Sequence, residues 1–250
     1  MSALPPGPSA PATSPAGRLV ADKSGTPRMF SSIARRYDLL NHILSFNIDR
    51  RWRRLLVAHA AVQPGERVLD VATGTADVAI EFARGTQAGE ITGLDASPGM
   101  LEVGRAKLAR RGLATRIRLM DGDALALPFA DASFDVVTIA FGLRNLPDYG
   151  QGMAEMARVL APGGRVLVLE FLPPEGAARL LFRSYTATVL PVVGRAISGS
   201  PEAYAYLASS IGSFVTAQAV RELMARAGLE RAESRRLTLG IAGLHRGVRP

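Results

Sequence analysis

From residue 66 onward the chain alternates short β-rich runs with stretches patterned for helix, which commits it to an α/β architecture with a doubly wound, mostly parallel sheet. The β-rich runs are 67–71, 90–94, 116–120, 134–140 and 164–170, and helical patterns lie between them at 77–84, 98–112 and 149–160. Gly and Pro punctuate the joins at Pro64-Gly65, Gly112 and Pro162-Gly163-Gly164. The chain closes on two further β-like runs, roughly 229–237 and 239–246, parted by little more than a turn. So short a link forces those two strands to be antiparallel neighbours.

Two segments break this rhythm. Residues 28–60 read as amphipathic helices ahead of the first strand, placed to act as a lid. Residues 175–228 read as a helical insertion, interrupted by Pro191 and by Ser198-Gly199-Ser200-Pro201. Residues 1–27 begin with a Pro/Ala/Ser-rich stretch that has neither a basic start nor an apolar segment. They are expected to be a disordered tail, not a signal peptide. Residues 28–250 are expected to form one domain.

Composition excludes several chemistries. There is no cysteine, so disulfides, thiolate zinc sites and cysteine nucleophiles are ruled out, and a cytoplasmic setting is expected. His42, His59 and His245 are widely spaced, and no metal site is expected. No apolar run reaches the roughly 18 to 20 residues needed to span a bilayer. The formal charge is +8, and residues 18–54 hold nine Arg or Lys against three Asp. That segment suits peripheral contact with an anionic membrane, or simply a solvated basic face. Aromatic residues are not interleaved with the basic ones, so nucleic acid is not expected as a partner. A homo-oligomer is compatible with the sequence.

The first strand leads into Asp70-Val-Ala-Thr-Gly-Thr-Ala-Asp77. A loop of small residues between strand and helix lets backbone N–H groups approach a ligand, although a tight turn would use the same residues. Gly74 is its only glycine, so this is not the dinucleotide fingerprint. The second strand ends at Asp95, followed by Ser97-Pro98, where a carboxylate can accept from both hydroxyls of a ribose diol. The third run ends in Asp121-Gly-Asp123-Ala124, where a carboxylate can accept from an adenine amine while a neighbouring N–H donates to the ring. Acids after three successive strands would repel a pyrophosphate and suit a cationic sulfonium, which points to S-adenosylmethionine.

At these positions the chain resembles Class I methyltransferases, in Asp70–Asp77, Asp95, Gly122-Asp123-Ala124 with Leu127-Pro128-Phe129, and the segment Arg158 to Gly164. More specific segments resemble the UbiE/MenG-type quinone-biosynthesis C-methyltransferases. They are Tyr37-Asp-Leu-Leu-Asn-His42 through Ser45 to Trp52, Phe141-Gly-Leu-Arg-Asn145, Tyr204-Ala-Tyr-Leu207 with Ser210-Ile211, and Gly240 to Gly247. The resemblance covers nearly all of 28–247. It implies a Rossmann-like seven-stranded methyltransferase sheet with one antiparallel strand, and helical additions over the substrate pocket. It also implies a prenylated quinol as substrate, with cofactor contacts from Asp70, Gly74, Thr75, Asp95, Asp123 and Ala124. Demethylmenaquinol is the expected acceptor; the alternatives are a ubiquinone-pathway benzoquinol, both quinols, or, more remotely, another small-molecule or nucleic-acid acceptor.

The chain departs from the family pattern at four places. Ala76 stands for a usual glycine, which the loop tolerates if φ there is negative. Ala140 replaces a frequent serine, Asp49 a frequent histidine and Ala161 a usual lysine.

Ring methylation needs a carbon nucleophile, and a phenolate far exceeds a neutral quinol whose pKa is near 10. Arg144, after the fourth strand, is the leading candidate to stabilise that oxyanion, with a salt bridge to an acid such as Asp148 as its structural alternative. Tyr37 and His42, in the helix before the sheet, complete the catalytic candidates, and His42 could accept the quinol proton. The apolar run from Leu180 to Val193 is the candidate surface for a prenyl tail.

Overall fold

The computed structural model describes residues 25–173, 176, 188 and 216–250. Its seven strands are β1 (Arg67–Val71), β2 (Glu90–Asp95), β3 (Ile117–Asp121), β4 (Phe134–Ala140), β5 (Leu160–Phe171), β6 (Glu230–Leu237) and β7 (Ala242–Val248). Its helices are α1 (Thr26–Leu44), α2 (Ile48–Ala60), α3 (Asp77–Gly85), α4 (Pro98–Arg110), α5 (Tyr149–Val159) and α6 (Ala217–Arg226). The sheet order is β3-β2-β1-β4-β5-β7-β6, with β7 antiparallel to both its neighbours and β1 to β5 mutually parallel. The expected hairpin is therefore present, and β7 is the one reversed strand.

The sheet is buried on both faces, which is why its central strands read as continuous apolar runs. Val68, Val136 and Leu167 face a core closed by Leu56 of α2, Phe82 of α3 and Leu108 of α4. Leu69, Val137 and Val168 face the opposite core, closed by Met153 and Met156 of α5 and Val220 and Met224 of α6. The chain order reverses between β1 and β4, and ligands of open α/β sheets bind at such a switch point, beyond the strands' carboxyl ends.

Several boundaries differ from the sequence reading for local reasons. Helix α1 begins at Thr26, inside the stretch expected to be tail, because Pro27 sits in the first turn where a missing N–H costs no intrahelical bond. The tail reading otherwise falls on residues 1–24, outside the described residues. So do Leu180–Val193 apart from residue 188, the Tyr204–Ile211 segments and most of the 175–228 insertion, whose main described part is 216–228 with α6. Helix α4 stops at Arg110, short of the expected 112. The Leu113 N–H bonds to the Leu108 carbonyl (3.0 Å) and the Gly112 N–H to the Ala109 carbonyl (3.2 Å), with Gly112 at φ +66°. These two bonds are the Schellman closure, which needs that left-handed residue.

Strand β7 starts at Ala242, not 239, because Thr238 and Leu239 turn the chain with φ of 46° and 56°. Strand β5 begins earlier than expected, at Leu160, and Gly163 and Gly164 bond the Arg249 backbone at 2.9 and 2.8 Å. Within the 28–60 lid, α2 buries Trp52, Leu56 and Ala60 in the core. Only α1 reaches the cavity described next.

Candidate active site

A cavity of about 390 Å³ opens beyond the carboxyl ends of β1 to β4, with α1 as one wall. The β1–α3 loop supplies Ala72 and Gly74, and it is wound tightly: Ala72, Gly74 and Ala76 have φ of 52°, 56° and 68°. The tolerance expected of Ala76 rested on a negative φ. Its left-handed backbone overturns that, and explains a glycine preference there, since an L side chain in this region costs on the order of 1 kcal/mol.

Asp95 closes the loop from the neighbouring strand. Its Oδ2 accepts from the Gly74 N–H at 2.7 Å and its Oδ1 from the Ser97 N–H at 2.9 Å. Burial pushes the carboxyl pKa up; the two backbone donors oppose this, and Asp121 nearby adds to it. Each oxygen keeps a lone pair that can accept from a ligand hydroxyl. Asp123 lines the cavity too, its Oδ1 accepting from the Leu125 N–H at 2.9 Å, with Ala124 beside it.

Among the described lining residues the ionisable side chains are Asp95, Asp121, Asp123 and Tyr37, with no Lys, Arg or His. Leu94, Met100 and Leu146 supply apolar walls for a heterocycle. An acidic, partly apolar cavity of this size fits a cationic nucleoside and opposes a pyrophosphate.

Two expected contacts lie elsewhere. Asp70 is fully buried beneath the loop, accepting from Thr73 Oγ1 at 2.6 Å and Thr138 Oγ1 at 2.8 Å, and does not line the cavity. It holds the loop from below. Thr75 also faces away: it donates to Asp38 Oδ1 of α1 at 2.5 Å and accepts from Lys107 Nζ of α4 at 3.0 Å. The Lys107 ammonium also meets Asp38 Oδ2 at 2.5 Å and Asp77 Oδ1 at 2.7 Å. One ammonium has three donors, and here three oxygens receive them, tying α1 to the ligand loop.

Sequence reading missed Asp38 and Lys107. A signal was available in composition, because Lys107 is one of only two lysines among 30 basic residues. A compact point charge reaches three converging oxygens in a way that a planar guanidinium does not.

Of the three catalytic candidates, Tyr37 alone lines the cavity. Burial raises its phenol pKa, while the positive charge of Arg144 and a hydrogen bond with Asn41 pull it back. Arg144 lies in the turn Leu143–Asn145 and is buried. Its guanidinium pairs with Glu170, donates to the Phe141 carbonyl at 2.9 Å, and sits 5.2 Å from the Phe171 ring centroid. The partner acid is thus Glu170 of β5 and not Asp148, whose carboxylate caps α5 by accepting from the Gln151 N–H at 3.0 Å. His42 is turned away from the cavity, with Nδ1 2.9 Å from Asp49 Oδ2, and Asp49 is also held by Ser45 and Arg53. Asn145, not singled out from sequence, lines the cavity with its amide donating to the Phe141 carbonyl at 3.2 Å.

Two buried groups carry opposite pH dependences. Burial pushes Asp70 up to about 6 from 3.8, so its native state holds a proton that the unfolded chain has lost, and stability falls as pH rises to about 6. Burial pulls His245 down to about 4 from 6.5, so the native ring stays neutral while the unfolded one is charged, and stability rises across that window. Each is worth about 3 kcal/mol, and they offset. The paired carboxylates Asp49, Asp77 and Glu66 are held below their usual range, so their share grows as pH rises and is complete only by about pH 5.5, in the parent and the variant alike. Asp95, likewise raised by burial, acts in the same direction as Asp70 and remains when Asp70 is replaced. Asp70→Asn is therefore expected to make the unfolding free energy from urea titrations climb more, or fall less, than in the parent between about pH 4.5 and 6.5. A pH slope in that variant equal to the parent's would contradict the assignment.

A mostly parallel seven-stranded sheet with one reversed strand, carrying a phosphate-averse, nucleoside-sized cavity at its switch point, defines a Class I S-adenosylmethionine-dependent methyltransferase. The profile of the ubiE/COQ5 methyltransferase family matches residues 19–249. The demethylmenaquinone methyltransferase of Thermus thermophilus is 48% identical over 223 residues, spanning 89% of this chain and 100% of that protein. The ubiquinone/menaquinone biosynthesis C-methyltransferase UbiE of Azotobacter vinelandii is 42% identical, over 89% of this chain and 88% of its own. Among solved structures, the methyltransferase chain in a complex with the Trm112 methyltransferase activator of Haloferax volcanii shares the fold at a TM-score of 0.64 and 21% identity, covering 88% and 97% of the two chains. The chain belongs to the ubiE/COQ5 methyltransferase family.

Proposed function

We propose that this enzyme methylates a ring carbon of a prenylated quinol, with demethylmenaquinol as its acceptor. The observation that carries this reading is the change of character across the cavity. Its strand-end side is acidic, while Tyr37 and Asn145 face a region backed by the buried Arg144–Glu170 pair. The likeness to the Thermus protein favours the naphthoquinol over the benzoquinol that the Azotobacter protein's name also covers.

In this reading Asp95 accepts the ribose hydroxyls, and Asp123 with the neighbouring backbone reads the adenine edge. When bound, S-adenosylmethionine supplies an electrophilic methyl group on a cationic sulfonium. The protein's part is to orient the acceptor ring and favour its oxyanion. The Tyr37 hydroxyl, under the positive field of Arg144, holds the acceptor oxygen, and Arg144 stabilises charge that develops there. His42 supports the helix through Asp49 and takes no proton from the ring.

Peripheral contact with an anionic membrane, where a prenylated quinol resides, belongs to the same reading. Purified protein supplied with labelled methyl donor is expected to methylate demethylmenaquinol faster than the demethylated benzoquinol. Cells lacking the gene are expected to accumulate demethylmenaquinone by mass spectrometry. An unchanged quinone profile would overturn the proposal.

A further inference from the structure

Helix α1 has two working faces. Phe30 and Tyr37 line the cavity and Ile33 and Ala34 are buried, whereas Arg28, Arg35, Leu39 and Ile43 fall within about a quarter of the helix circumference on the opposite, exposed side. Leu39 and Ile43 are 55% and 40% exposed, and Phe46, just beyond the helix, is 73% exposed. Leu239, at the β6–β7 turn, is 83% exposed. These four are the large exposed apolar side chains among the described residues. Phe46 and Leu239 are also held at φ of 50° and 56°, a backbone region that bulky L residues seldom adopt. Trp52 Nε1 donates to Thr238 Oγ1 at 2.9 Å, which fastens the Leu239 turn to α2, the helix that follows Phe46.

The exposed charges on α1 and α2 have one sign. Arg28, Arg35, Arg50 and Arg51 are exposed, while the only acids between Thr26 and Ala60, Asp38 and Asp49, are turned inward onto Lys107 and onto His42 and Arg53. Apolar side chains projecting beside two helices whose exposed charges are all arginines match an anionic bilayer, whose headgroups take the arginines while its acyl boundary takes the apolar tips. A hydrated protein surface would leave Phe46 and Leu239 with nothing to bury against.

We infer that the outer face of α1, with Phe46 and Leu239, docks the enzyme on an anionic phospholipid bilayer. Because the inner face of the same helix lines the cavity, docking brings the acceptor's entry to within about one helix diameter of the lipid. This inference rests on the prenylated-quinol reading for its purpose, but the docking can be measured without it.

The test uses full-length protein and phosphatidylcholine vesicles with and without phosphatidylglycerol. Co-sedimentation is expected only with the anionic vesicles and is expected to weaken at high salt. The double variant Phe46→Asn/Leu239→Asn keeps residues that tolerate a left-handed backbone. It is expected to lose at least tenfold in vesicle affinity, and similarly in turnover of a vesicle-embedded long-chain quinol. Turnover of a short-chain quinol in solution is expected to stay unchanged. Equal binding to neutral vesicles, or undiminished binding by the double variant, would overturn the inference. So would light scattering that shows a dimer dissociated by the two substitutions, since a second copy would then cover this face. Vesicle binding without methylation of either quinol would sink the acceptor assignment and leave the docking standing.

Discussion

Asp95→Ala is expected to weaken S-adenosylmethionine binding by two orders of magnitude or more, measured by calorimetry. Hydrogen bonds to an ionised group contribute about 1.5 to 3 kcal/mol each, and two ribose hydroxyls would be lost together. The loop suffers as well, because the carboxylate now receives the Gly74 and Ser97 N–H groups. Asp95→Asn is no milder. Both carboxylate oxygens accept from backbone donors, so either orientation of the amide sets an NH2 group against an N–H. Burial raises the Asp95 pKa, so affinity in the unaltered protein is expected to fall as pH drops toward that raised value and the acceptor becomes protonated. Retention of affinity within tenfold in Asp95→Ala would remove the carboxylate from the site.

The strands were legible because a parallel sheet covered on both faces writes its core into the local sequence, as Val136 to Ile139 and Val166 to Leu169 do. Asp95 and Asp123 were legible for a related reason: a residue at a strand's carboxyl end is placed by topology alone. Contacts made across the fold were not legible in this way. Glu170 meets Arg144 from 26 residues away, and Lys107 meets Asp38 from a helix distant in sequence. Which acid an arginine finds depends on side-chain reach across neighbouring strands, and Asp148, near in sequence, is consumed as a helix cap. Thr75 misled for the same reason. Its place in the loop is visible in the sequence, but not that its hydroxyl turns toward α1. Ala76 shows the limit for backbone, since the sign of φ is set by how the loop must wind around Asp95 and not by the alanine.

Arg144→Gln tests the catalytic half of the site, and its two consequences must be separated. Glu170 is fully buried and pairs with Arg144 in side-chain and backbone bonds, so losing the guanidinium strands a buried carboxylate. Breaking one partner of such a pair costs about 3 to 5 kcal/mol, and the single variant is expected to melt well below the parent. Arg144→Gln/Glu170→Gln removes the charge and its partner together and leaves two amides that can bond one another, so most of the stability is expected to return. Turnover is expected not to return. Loss of one charge that stabilises an oxyanion typically lowers kcat by about 10² to 10³, and an amide carries no charge to replace it. Methyl-donor affinity is expected to be near normal in the double variant, because Arg144 lies behind Tyr37 and Phe141 and does not line the cavity. A double variant that recovered turnover along with its melting temperature would make the Arg144–Glu170 pair purely structural. The oxyanion would then fall to the Tyr37 hydroxyl, whose pKa Arg144 now helps to lower.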